Sequence, residues 1–178
     1  MAEGWVCPEC GIDYDTLAPG DLAVAIRSYP RRFRAALSTL DEDSALDADA
    51  LIRRSPSTGV WSALAYTVHV ADVFAWHADA LRRMHDADDP SVDWPSSDEA
   101  AWERDANAVS RDDALDRLGG EADRLAAVLD AYRGDDWTRT ATFPWGSRDA
   151  LTTARNAVHE GHHHLRDVER VLGDVRGR

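Results

Sequence analysis

From Asp21 onward the chain places apolar side chains at spacings of three and four, the signature of helices with one buried face. Leu22, Ile26, Tyr29, Phe33, Leu37 and Leu40 form the first stripe, and Pro30 inside it predicts a kink or a restart. A second stripe begins near Trp61 or Ser62, a candidate N-cap, and carries Leu64, Ala65, Val68, Ala71, Val73, Trp76 and Leu81 to about Met84. Ser110 followed by Asp113 reads as a capping-box start for a third helix through Leu115, Leu118, Ala122, Leu125, Val128, Leu129 and Tyr132, despite the weakening pair Gly119-Gly120. Ser147 is the expected cap of the last helix, whose apolar positions are Leu151, Ala154, Val158, Leu165, Val168 and Leu172 and which ends near Gly173.

Between these stripes the sequence turns acidic and irregular. Residues 41–56 read as a connector with a short turn of helix. Residues 86–110 form a long connection with Pro90, Pro95, Trp94 and Trp102, in which 98–108 predicts a short helix. Residues 134–146 are read as a loop carrying Trp137, Phe143 and Trp145. Four long amphipathic segments and no convincing alternating strand predict an all-α, antiparallel four-helix bundle over residues 21–178. Ahead of it, Pro8, Gly11, Pro19 and Gly20 punctuate a short irregular segment, residues 1–20.

Composition narrows the function. At 178 residues, with 44% hydrophobic and 30% charged side chains, the chain suits one ordinary globular domain. The net charge of −13 argues against nucleic acid and against an anionic membrane surface as partners. No run of about 18 apolar residues is present, so no membrane span is expected. The first twenty residues have no apolar stretch of the kind a secretory signal needs, which makes the cytoplasm the default location. Every one of the 20 basic residues is Arg, a bias typical of translation from a GC-rich genome.

The candidate chemistry lies in the cysteines and histidines. The only two cysteines, Cys7 and Cys10, form Cys7-Pro8-Glu9-Cys10-Gly11, which resembles half of a zinc knuckle. A closed site needs four ligands, so the pair is a candidate structural metal site with unidentified partners, a redox pair, or a turn without metal. Four of the seven histidines fall between positions 159 and 164. On a helix His159 and His163 share a face, and His69, on an otherwise apolar helix, needs a polar partner that this pair would supply. Three imidazoles with open positions are the composition of a catalytic site, which would acidify a bound water or thiol. Asp72 and Asp167 each lie one turn beyond a candidate ligand and are placed to orient an imidazole. Solvent or a pocket rim is the expected place of His162 and His164. His159-Glu160-Gly161-His162-His163 also satisfies H-E-x-x-H, with Glu160 as base, but the downstream third ligand and the substrate-binding strand of such proteases are missing.

The run from Trp61-Ser62 to His69, together with His159-x-x-x-His163-His164, resembles the two histidine signatures of the DinB/YfiT-like superfamily. The Cys-Pro-Glu-Cys-Gly-x-Asp-Tyr segment is similar to one preceding this domain in an actinobacterial subgroup. The resemblance covers essentially the whole chain. It implies a four-helix bundle with a site for a divalent metal, zinc or nickel, held by His69, His159 and His163. Maleylpyruvate isomerases of that family carry Glu in place of one histidine, so Glu160 and His164, also four apart, form the alternative pair.

The resemblance implies a metal-dependent enzyme, an S-transferase that activates a small thiol such as mycothiol for attack on an electrophilic substrate. The alternatives are a hydrolase with Glu160 or Asp72 as base, and a non-catalytic metal-binding stress-response bundle. Arg166 and Trp145 are candidate substrate-pocket residues, as are Arg148, Trp94, Trp102 and Trp137. Such bundles are also compatible with homodimerisation.

Overall fold

A computed structural model of the chain describes residues 5–41, 47–95 and 98–177; part of the first expected connector, residues 42–46, lies outside them. The elements are α1 (Pro19–Ser38), α2 (Ala48–Ile52), α3 (Ala63–Asp86), α4 (Glu99–Ala106), α5 (Arg111–Ala131), a hairpin of β1 (Thr140–Phe143) and β2 (Gly146–Asp149), and α6 (Ala150–Val175). The four long helices α1, α3, α5 and α6 are the four predicted stripes. Packing pairs α3 with α5 and α6, and α1 with the same two, so α1 and α3 lie diagonally, as do α5 and α6. The fold is therefore an all-α four-helix bundle. No helix among the described residues is long and apolar enough to cross a membrane.

The predicted stripes are the core. Leu22, Ile26, Phe33 and Leu37 of α1 are fully buried with Leu64, Phe74 and Leu81 of α3, Leu118 and Leu125 of α5, and Ala154 and Val168 of α6. Two predicted caps hold: the Ser62 hydroxyl accepts from Ala65 N–H (3.0 Å), and the Ser110 hydroxyl accepts from Asp113 N–H (3.0 Å) while donating to the Asp113 carboxylate (2.7 Å). Ser62 also donates to the Asn107 side chain (2.7 Å), tying the start of α3 to the end of α4.

Three expectations are corrected. Pro30 does not interrupt α1, because the buried faces before and after it pack on one pair of partner helices and override the loss of a single backbone hydrogen bond. Residues 140–149 form a hairpin rather than a loop; four residues per strand are too few for the alternation of buried Ala141 and Phe143 with exposed Thr140 and Thr142 to stand out. The hairpin also moves the cap of α6 from Ser147 to Asp149, whose carboxylate accepts from Thr152 N–H (2.6 Å).

At Gly161 the helix α6 packs closely on its neighbours. A Cβ there would lie 2.7 Å from the ring of Tyr29 and 3.0 Å from Phe74. Tyr29 also donates its hydroxyl hydrogen to the Val158 carbonyl (2.9 Å), so α1 grips α6 at residues 158–161. Gly161→Ala gains about 1 kcal/mol of helix propensity, but overpacking a filled core costs about 1–3 kcal/mol. Both neighbours here are rings buried in the core, so the steric cost dominates. The expected outcome is a net destabilisation of up to about 2 kcal/mol, read as a lower urea midpoint at unchanged m-value.

Candidate functional site

The chemistry-bearing side chains lie on α3 and α6, which pack together through the centre of the bundle. His69 sits two turns into α3. Across from it, Glu160 and His164 stand four apart on α6. Glu160 Oε2 lies 3.7 Å from His69 Nε2 and 3.3 Å from His164 Nε2. The two imidazole centroids are 4.8 Å apart with planes at 87°. One donor atom of each of the three residues falls within 4.8 Å of the others.

The structure divides the ligands read from the sequence. His159 and His163 do not join His69; their nitrogens gather instead with the sulfurs of Cys7 and Cys10, again within 4.8 Å of one another. The reason is angular. The pairs 159/163 and 160/164 are both one turn apart and are offset by one residue, about 100° around the helix axis. Spacing along the chain cannot say which pair faces α3; the seating of Gly161 on Tyr29 and Phe74 does. His164, expected at a rim or in solvent, is therefore largely enclosed.

Each imidazole facing Glu160 is clamped. Trp61 and Trp102 flank His69 (centroids 5.0 and 5.9 Å), and Tyr66 stacks on His164 (5.3 Å, 26°). His164 Nδ1–H donates to Asp167 Oδ2 (2.9 Å), so Nε2 is the atom presented to Glu160. Asp167 also accepts from Arg170 (2.6 Å) and lies 3.6 Å from His163 Nε2. It is the outer carboxylate that fixes an imidazole's orientation. Asp72 has no such part, because its carboxylate accepts from Trp102 Nε1–H (3.0 Å) and pairs with Arg117.

Electrostatics agree with a site built for positive charge. Burial acts to raise the Glu160 pKa, yet hydrogen bonds from His164 and His69, together with the charge of His164 and His77, hold it far below the usual carboxylate range. Burial likewise opposes charge on His164, but Asp167 and Glu160 lift its pKa to about 9. At neutral pH the metal-free group of acids and imidazoles thus keeps a proton that a divalent ion would displace. Two imidazoles and a carboxylate suit zinc, nickel or a similar ion. Three protein ligands leave coordination positions free.

His69 opens onto a cleft of about 760 Å³. Trp61, Trp76, Trp94 and Trp102 wall it, with Asp72, Glu99 and Arg117 as its charged members. Of the other expected pocket residues, Trp145 stacks on Phe143 (5.6 Å, 5°) outside the cleft lining, with Arg148 over its ring (5.5 Å). Arg166 is on the far side, donating to the Cys10 carbonyl (2.8 Å), and Trp137 packs on Tyr132 (4.8 Å).

Donor side chains converging from facing helices beside an aromatic cleft match the architecture of helical bundles that hold metal ions. The chain belongs to the DinB superfamily, whose match spans residues 25–168. It is similar in fold to YfiT from Bacillus subtilis, described as a probable metal-dependent hydrolase with an unusual four-helix bundle topology. The TM-score is 0.75 at 16% identity, over 92% of this chain and 91% of YfiT. A mycothiol-dependent maleylpyruvate isomerase is similar at a TM-score of 0.64 and 17% identity, over 87% of this chain. The match spans 62% of that isomerase's length, and a histidine-to-alanine mutant of the isomerase gives a TM-score of 0.62. No curated protein sequence matches the chain.

Asp167→Asn should leave the fold intact and weaken divalent-metal binding at His69, Glu160 and His164. The expected loss is about 10- to 100-fold, the usual effect of removing an outer carboxylate. Zinc titration against a competing chelator measures it; unchanged affinity would remove Asp167 from the site.

Proposed function

We propose that this chain is a divalent-metal-dependent enzyme that activates a low-molecular-weight thiol, of the mycothiol type, for transfer to an electrophilic substrate. The observation that carries the reading is the convergence of His69 Nε2, His164 Nε2 and Glu160 Oε2 beside an aromatic-walled cleft. A divalent ion held by these three side chains supplies a Lewis acid that favours the ionised form of a sulfur bound beside them. Asp167, Tyr66 and Trp61 keep the imidazoles in place, so little reorganisation accompanies binding. Trp61, Trp76, Trp94 and Trp102 exclude water from the thiol and give apolar contact to the electrophile. In the reaction the thiol loses its proton to solvent and its sulfur forms a bond to the electrophilic carbon; the electron pair displaced there leaves with a departing group or, at an activated double bond, moves to the neighbouring atom, which takes a proton from solvent.

A thiol rather than water as nucleophile is supported by the cleft lining, in which no free base lies deep inside among the described residues. A hydrolase needs a carboxylate to take a proton from water. Glu160 is committed as a ligand in this reading, and Asp72 is held by Trp102 and Arg117. The remaining acid of the lining, Glu99, is exposed in the first turn of α4. Metal dependence in the description of one structural neighbour and mycothiol dependence in that of the other support this assignment.

The test is thiol consumption by the metal-loaded protein with mycothiol and a panel of electrophiles, followed by mass spectrometry of the thioether product. His69→Ala and His164→Ala should each lower the rate by more than about 100-fold, the upper end of what losing an outer-sphere partner costs. Turnover of esters or amides at the same rate with and without thiol would replace this reading with hydrolysis.

A further inference from the structure

We propose that Cys7, Cys10, His159 and His163 form a second, closed zinc site that fastens the N-terminal segment to α6. This site is separate from the His69, Glu160 and His164 centre and does not rest on the function proposed for it.

The first support is convergence from distant parts of the chain. Two sulfurs and two imidazole nitrogens come within 4.8 Å of one another, and both cysteines are buried. Cys7 Sγ lies 3.7 Å from His163 Nδ1. Zinc–sulfur and zinc–nitrogen bonds of about 2.3 and 2.05 Å at the tetrahedral angle give a sulfur–nitrogen edge of about 3.6 Å. The spacing is thus that of two ligands on one ion.

The second support is an unsatisfied group. Among the described residues, neither ring nitrogen of the buried His159 imidazole has a hydrogen-bond partner. Trp5 covers the ring edge-on at 5.1 Å, and Tyr14 lies at 6.0 Å, so water has little access. An imidazole enclosed in this way costs free energy unless something binds it. A metal is the partner that the neighbouring sulfurs make available.

The remaining geometry also fits. Gly11 N–H donates to the Cys7 carbonyl (2.9 Å) and Cys7 N–H to the Ile12 carbonyl (2.9 Å), closing a tight turn with Gly11 at φ +74°. That turn aims both sulfurs the same way. His163 presents Nδ1 to Cys7 and directs Nε2 at Glu9 (3.4 Å) and Asp167 (3.6 Å), the ligand-plus-outer-carboxylate pattern of metal-bound histidine. Two thiolates, two neutral imidazoles and Zn²⁺ sum to zero charge, with two thiol protons released on binding. A neutral, four-ligand shell is suited to a buried structural site.

Cobalt is the probe, titrated into metal-free, untagged full-length protein under reducing conditions. The expected result is thiolate-to-cobalt charge-transfer absorption, with the intense visible bands of tetrahedral Co(II), saturating at one equivalent. A second equivalent should bind without adding to the charge-transfer band. Cys7→Ser/Cys10→Ser should abolish that band and remove one of two bound equivalents, while His69→Ala/His164→Ala should keep it. Zinc X-ray absorption on the wild-type chain, loaded with one equivalent, gives a reading that does not depend on how the variants fold. A shell of two sulfurs and two nitrogens supports the site. A shell of nitrogen and oxygen alone, or cobalt saturation without a charge-transfer band, overturns it. Loss of the second equivalent only, with the charge-transfer band intact, would instead count against the His69 centre.

Discussion

A one-residue offset on a single helix carries most of this structure. Within two turns of α6, residues 159 and 163 point to one neighbour and residues 160 and 164 to another, about 100° apart. That division holds only while α6 keeps its rotation. The rotation is set by contacts that have nothing to do with ligands: Gly161 lies bare against Tyr29 and Phe74, and the Tyr29 hydroxyl reaches the Val158 carbonyl. A larger residue at 161 would have to push α6 away from α1 and would misalign both ligand pairs together.

Around this helix the protein separates two kinds of environment. Toward α3, aromatic rings hold the imidazoles while His69 stays open to a cleft, so charged donors and access from outside coexist. Toward the N-terminal segment, Trp5 and Tyr14 close over His159, and Arg155 and Arg166 donate to the carbonyls of Leu17 (3.0 Å) and Cys10 (2.8 Å). The same helix thus presents an accessible group of donor side chains on one flank and an enclosed group on the other. Openness suits exchange of ligands; enclosure suits permanence.

Much of the fold was legible because helical periodicity is a long-range signal. The stripes of Leu22 to Leu40 and Leu115 to Tyr132 repeat over several turns, and the Ser62 and Ser110 caps have short-range chemical signatures. The hairpin at 140–149 has neither length nor a strong turn motif, and so it read as loop. The site was legible in its membership more than in its grouping. Every histidine and cysteine that converges was visible as a candidate, including the alternative pair Glu160 and His164. What spacing cannot supply is the rotation of α6 or the folding back of residues 5–17, and these decide which donors meet. The clue within the sequence was the interleaving itself: two overlapping i, i+4 pairs need two partners, and Cys7-x-x-Cys10 stood without its second half.

Asp167 gives this arrangement a further property. Its carboxylate accepts from His164 Nδ1–H and stands 3.6 Å from His163 Nε2, so it touches one member of each ligand group. Were ions held at both groups, as proposed above, binding at one would change the affinity at the other through this shared counter-charge, and the coupling would be the same in both directions. With both proposed sites filled, the N-terminal segment would be more than an anchor: its ligation would set part of the affinity felt at His69 on the opposite flank of α6, and ligands entering the cleft would act back on how firmly that segment is held.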